Sequence, residues 1–151
     1  MTEVLFYHLQ RQTLEEALPT LLLRSLERGW KVTVEVGDSE RLAALDDHLW
    51  TFADDSFLPH GAAREPGVEL QPVALVDGPE NPNGASVRFL VYGARVPDDF
   101  AGLERVVLMF DGADDVALAR AREDWVKVKR MDGLVATYWC QNDEGRWEKK
   151  A

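Results

Sequence analysis

Between Arg105 and the turn dipeptide Asp111-Gly112 runs an unbroken apolar stretch, Val106-Val107-Leu108-Met109-Phe110. No polar position interrupts it, so neither of its sides suits water. A run this short, closed by a turn signal, fits a strand covered on both faces. Parallel strands of that kind need long crossover connections, usually helices, packed above and below the sheet.

The rest of the chain supplies such connections. Glu3 to His8 reads as a first strand, rich in Val, Leu and aromatics. Thr13 then opens a helix with a capping box closed by Glu16. Leu18, Leu21, Leu22 and Leu26 give that helix one apolar face, and Gly29 stops it. Pro19 lies inside it and predicts a bend or a reset. Lys31 to Val36 alternates as a second strand. Asp38 or Ser39 starts a second helix that buries Leu42, Leu45 and Leu49. Gly61 to Pro72 and Gly78 to Ala85, rich in Gly, Pro, Asn and Glu, read as surface connections. Pro72 to Val76 and Ser86 to Tyr92 are short strands. After Asp111-Gly112 a long helix is expected from about Asp114 to Met131, then a strand through Thr137-Tyr138-Trp139 and an extended basic tail. The fold class is α/β: a single three-layer Rossmann-like domain over residues 1–151, with a mostly parallel sheet.

Charge narrows the partners. The net charge is −10, which opposes a broad grip on nucleic acid, because phosphate binding needs clustered cations. The distribution is uneven: residues 1–119 hold 9 Lys+Arg against 21 Asp+Glu, and residues 120–151 hold 8 against 6. Within 120–130 there are five cations and two acids. A cationic patch on an acidic protein favours a small anion or an acidic peptide over duplex DNA. No apolar run approaches the roughly 20 residues that span a bilayer, and no signal-peptide pattern opens the chain. A single cysteine, Cys140, fits a reducing cytoplasm.

Catalytic chemistry finds little to work with. The first strand-to-helix turn, Leu9-Gln10-Arg11-Gln12-Thr13, contains no glycine where a pyrophosphate would need close backbone approach. His8, His48 and His60 show no metal-ligand spacing, and Cys140 has no histidine near it in sequence. Of the acidic doublets, Asp98-Asp99 and Asp114-Asp115 are expected at helix starts, where negative charge suits the dipole. No catalytic residue, cofactor or metal is expected. The rival reading is a Rossmann-like nucleotide-binding enzyme or sensor with an unrecognised site.

Two features could bind a partner. On a wheel of about 100° per residue, Leu118, Ala121, Trp125 and Val128 form one stripe of the long helix. Arg122 and Lys129 lie on its edge, and Arg120, Lys127 and Arg130 point elsewhere, to solvent. Two cations beside an indole suit a ligand with carboxylates next to an apolar ring; a plain amphipathic helix with a charged rim is the alternative. Trp50 and Phe57, seven apart, are either aromatic anchors for a partner or part of the core.

Several short motifs recur in a familiar order. They are Leu5-Phe6-Tyr7-His8, Leu14-Glu15-Glu16-Ala17-Leu18-Pro19, Arg28-Gly29-Trp30, and Leu49-Trp50 followed by Ser56-Phe57-Leu58-Pro59-His60. Val106 to Gly112, Ala121-Arg122-Glu123-Asp124-Trp125 and Thr137-Tyr138-Trp139 complete the series. In this order they resemble the chi subunit of bacterial DNA polymerase III, nearly end to end. The resemblance implies a Rossmann-like adaptor without intrinsic activity. It implies that the long helix binds the acidic carboxy-terminal tail of single-stranded-DNA-binding protein, a run of aspartates ending in Pro-Phe. Family positions that are basic, aromatic, basic and basic fall on Arg122, Trp125, Val126 and Lys129; Val126 departs from the usual lysine, and the adjacent Lys127 is expected to substitute, so that Arg122, Trp125, Lys127 and Lys129 form the expected tail site. It further implies that Trp50 and Phe57 meet the psi subunit of the clamp loader or, without psi, another partner such as a helicase.

Overall fold

The computed structural model describes residues 2–51, 60–62 and 67–151, with only the backbone of Trp50 and Thr51. Among these residues the elements are β1 (Thr2–Leu9), α1 (Leu14–Glu27), β2 (Val32–Val36), α2 (Ser39–Thr51), β3 (Gly61–Ala62), β4 (Val73–Val76), β5 (Val87–Val91), β6 (Arg105–Asp111), α3 (Asp115–Lys129), β7 (Leu134–Gln141) and β8 (Trp147–Lys149). The strands form one sheet in the order β3-β4-β2-β5-β6-β1-β7-β8. Every pairing is parallel except β7 with β8. The architecture is thus α/β, Rossmann-like, with helices on both faces. No described helix is long and apolar enough to cross a membrane.

Strand β6 behaves as its apolar run requires: Val106 to Phe110 are all buried. It pairs with β5 on one side and β1 on the other, and alternate residues enter different cores. Val107 and Met109 join Leu5, Leu9, Val34 and Phe89 under α1 and α2. Val106, Leu108 and Phe110 join Val4, Phe6, Leu90, Ala121 and Val128 under α3.

Helix α1 begins as its sequence demands. Thr13 accepts from the Glu16 backbone N–H, and the Glu16 carboxylate accepts from that of Thr13. It ends at Gly29, which takes the left-handed φ of +81° that glycine adopts without strain. The expected reset at Pro19 does not occur; the helix runs unbroken past it. Proline at that position leaves the Glu15 carbonyl without its i+4 donor. His48 Nε2, from α2, lies 2.6 Å from that carbonyl oxygen and takes the missing place. A backbone vacancy made by one helix therefore fixes the position of the next.

Three other expectations are corrected. Gly61–Pro72 is not all surface connection: Gly61–Ala62 pairs with β4 as an edge strand, and Val68–Leu70 forms a turn of 3₁₀-helix. Asp98-Asp99 starts no helix; it lies in irregular chain, where Asp99 accepts from the Ala101 N–H and Asp98 pairs with Lys127. The basic tail folds back through the turn at Gly145 as β8, antiparallel to β7. In the 78–85 connection, buried Asn83 donates to the Val32 and Gln71 carbonyls while its own oxygen accepts from Thr33 Oγ1 at 2.9 Å. A connection of that kind is tied to the sheet despite its polar composition.

Replacing His48 with Ala should destabilise the fold by about 1–2 kcal/mol, the cost of an unsatisfied, partly buried carbonyl. In a Pro19→Ala background, which restores the N–H, the same change should cost clearly less. A double-mutant cycle by urea denaturation measures the difference.

Candidate peptide-binding face on helix α3

Helix α3 is anchored at its start by Asp114, whose carboxylate accepts from the backbone N–H groups of Val116 and Ala117 at 3.0 and 3.2 Å. Ala121 and Val128 are buried against the sheet, and Leu118 and Trp125 are partly buried beside them. The helical spacing of the stripe is thus realised.

Trp125 sits over an aromatic layer built by strand register. Phe6 pairs with Tyr138, and His8 pairs with Phe110 on the opposite side. The Trp125 ring meets Phe6 edge-on at 5.2 Å between centroids and Tyr138 at 5.8 Å. Tyr138 shares a 2.7 Å hydrogen bond with His8 Nδ1. Gly112 is required beneath it: a Cβ there would fall 1.8 Å from His8 Nε2. The indole is therefore a fixed wall with its outer part left open, and T-shaped contacts of this kind each add about 0.5–1.5 kcal/mol beyond burial.

Arg122 and Lys129 flank that wall one turn away on either side, and both are exposed. Lys129 Nζ stands 5.5 Å from the centre of the Trp125 ring. Neither makes an ion pair with any described residue. Arg122 also acts on the layer beneath. Burial lowers the His8 pKa, Asp111 opposes this, and Arg122 lowers it further. The Tyr138 phenol is raised by burial and by Cys140, with Arg122 pulling the other way. The same cation thus reaches both partners of the His8–Tyr138 bond.

Lys127 is placed differently. It is not directed to solvent as the wheel suggested; its ammonium binds Asp98 at 2.6 Å and the Val96 carbonyl at 3.2 Å. That contact holds α3 to the irregular segment after β5, and Lys127 must leave it to reach a ligand beside Trp125. Asp124, in the middle of α3, does similar work and was not singled out by its sequence. It is buried, and Arg95 grips it through Nε and a terminal nitrogen at 3.0 and 3.1 Å. The only hint was an acid on the inner side of an otherwise apolar stripe. Trp50 lies at the end of α2, with its side chain outside the described residues, and Phe57 lies outside them altogether.

A second concavity, about 620 Å³, opens at the carboxyl ends of the strands where Rossmann-like folds often hold ligands. Arg41 and Arg120 line it, but so do Glu15, Asp38, Asp111 and Asp114. Arg41 lies over the Tyr92 ring, and the Tyr92 hydroxyl donates to Glu15. Asp38, Asp111 and Asp114 accept from backbone N–H groups of their own turns. The backbone N–H groups of these turns, which would cradle a phosphate, already have internal acceptors.

Comparison with known proteins agrees on one family. The family model described as DNA polymerase III chi subunit, HolC, matches residues 1–135. The chain is also 25% identical over 163 residues to a protein of Rickettsia prowazekii (strain Madrid E) called probable DNA polymerase III subunit chi, covering 100% of this chain and 93% of that one.

Because its neutral imidazole is favoured by the fold, His8 should titrate below the ordinary histidine value of about 6.5. A base with a lowered folded-state pKa stabilises the fold above its unfolded pKa, and that stability is lost as pH falls through the folded value. Replacing Arg122 with Ala should move the His8 midpoint upward in an NMR titration. An unmoved midpoint would place Arg122 away from the aromatic layer.

Proposed function

From the premise that this chain belongs to the DNA polymerase III chi subunit family, and so serves DNA replication as an accessory subunit with partners in the replisome, we propose that it is a non-catalytic adaptor. Its α3 face binds the acidic carboxy-terminal tail of single-stranded-DNA-binding protein, and a second contact links that protein to the clamp loader. The observation that carries the first contact is the pair of exposed cations, Arg122 and Lys129, without acidic partners among the described residues, on either side of a half-open indole. Carboxylates would pair with the cations, and a terminal phenylalanine would pack on Trp125.

Val126, 45% exposed, offers contact area but no charge at the position where the family resemblance implies a lysine. Lys127 can supply that charge only by giving up Asp98, so Arg122 and Lys129 bear most of the load. Trp50 and Phe57 remain the proposed anchors for the clamp-loader psi subunit or, where psi is lacking, for another partner such as a helicase. The physical gain is tethering: two weak contacts joined in one molecule raise effective concentration far more than either contact's affinity suggests.

A labelled acidic peptide ending in Pro-Phe should bind with micromolar affinity, about −8 kcal/mol, and more weakly as salt rises. Arg122→Ala and Lys129→Ala should each cost roughly 1–3 kcal/mol in calorimetry, whereas Arg130→Ala should cost little. Equal binding by all three variants would remove α3 as the site. For the other contact, Trp50→Ala with Phe57→Ala should abolish capture of the clamp-loader partner while thermal melting stays unchanged; loss of folding would assign both rings to the core. A rise in melting temperature with ATP, GTP or NAD would instead favour the nucleotide-binding reading.

A further inference from the structure

On the sheet face opposite α3, α1 and α2 pack chiefly on strands other than β7 and β8, and Tyr7, Trp139 and Trp147 at the margin of their core are only partly buried. Register sets the floor there: Leu5 lies beside Thr137, Tyr7 beside Trp139, and Trp139 beside Lys149. With Arg105 on β6 and Arg28 at the end of α1, these residues line a groove of about 610 Å³. Interior parallel strands are normally covered on both faces, so this open strip departs from the rule that the rest of the sheet obeys.

The chemistry of the strip is specific. Three rings meet on it, Tyr7 lying 4.6 Å from Trp147 and 6.2 Å from Trp139 between centroids. Beside them the guanidinium groups of Arg28 and Arg105 stand 5.1 and 4.7 Å from the Trp30 ring. Arg24, Arg28 and Arg105 all act electrostatically on the Tyr7 hydroxyl. Among the described residues Glu3 is the one acid lining the groove, and it is paired with Arg105 at 2.8 Å. Strand alternation puts Lys149 on this face and its acidic neighbour Glu148 on the other. A locally cationic, ring-rich strip has formed on a chain of net charge −10.

Size chooses the occupant. From Arg105 to Lys149 the groove crosses three strand spacings, roughly 14 Å. One carboxylate or phosphate cannot use cations so far apart. An acidic peptide with a single terminal ring would meet the cations but use at most one of the three aromatic surfaces. A polymer that alternates phosphates with flat bases meets both, and its bases must be unpaired to stack. We propose that this groove holds two or three nucleotides of single-stranded nucleic acid. The contact is weak and salt-sensitive, because the remaining acidic surface repels the same phosphates. It uses the odd-numbered face of β1, whereas the peptide face of α3 lies over the even-numbered one, so the two are tested separately.

The experiment is an amide NMR titration of the whole chain with an oligothymidylate at low salt. The expected result is shifts at Tyr7, Thr137 and the Trp139 indole N–H, little change at Arg122 and Trp125, and loss of the shifts as salt is raised. Lys149→Glu with Arg28→Ala should weaken binding roughly fivefold or more; both residues are exposed, so the fold survives the change. An oligomer of the same length without bases should bind distinctly less well. Three results would overturn the proposal: no shifts in the strip, equal binding of the baseless oligomer, or equal shifts with polyaspartate, which would make the strip a second acidic-peptide surface.

Discussion

Strand β1 is the constraint on which the rest depends. It is paired along its length with β6 on one side and β7 on the other, and its two faces serve different ends. Leu5 and Leu9 enter the core under α1 and α2, while Val4 and Phe6 enter the core under α3. A slip of one residue would exchange the faces entirely. It would also place Phe6 and His8 away from Trp125 and Tyr138, and dissolve the layer under the exposed cations. The proposed peptide face and the hydrophobic core are therefore two results of one register.

Helix α3 is held by contacts that leave its outer edge free. Arg95 with Asp124, and Lys127 with Asp98, pin the helix to the segment after β5. These pairs use cations and acids that would otherwise compete for the same partners as Arg122 and Lys129. Exposed pairs such as Lys127 with Asp98 add little stability. The buried Asp124 is different, because an unpaired carboxylate there would cost several kcal/mol. Positioning thus falls to the inner ion pair, and the cations beside Trp125 stay available.

Much of this was legible in the chain. The apolar run of β6, the capping box at Thr13, the stop at Gly29 and the stripe of α3 each express a local rule, and the structure obeys each one. What escaped was set by distant partners. Nothing near Pro19 announces that His48 will satisfy the Glu15 carbonyl, and nothing near Asp98 announces Lys127. The tail read as basic and extended because its pairing with β7 depends on the turn at Gly145 rather than on any apolar pattern. On α3 the wheel set Arg122 and Lys129 at the edge of the Trp125 stripe, and Lys129 does lie over the indole. It misjudged Lys127, since a wheel shows direction from the axis but not what stands there.

The electrostatic arrangement follows from the same geometry. An acidic chain repels anions at long range, so whatever it binds must be recognised by local fields within about a Debye length of 8–10 Å. Arg122 and Lys129 form such a field around one indole; Arg28, Arg105 and Lys149 form another around Tyr7 and Trp139. In both, an aromatic surface accompanies the charge, and that combination separates a shaped ligand from an arbitrary anion. General repulsion with two local exceptions favours specificity over raw affinity. For the adaptor proposed above, which would have to release and re-engage its partners, weak contacts of high selectivity would be the useful kind.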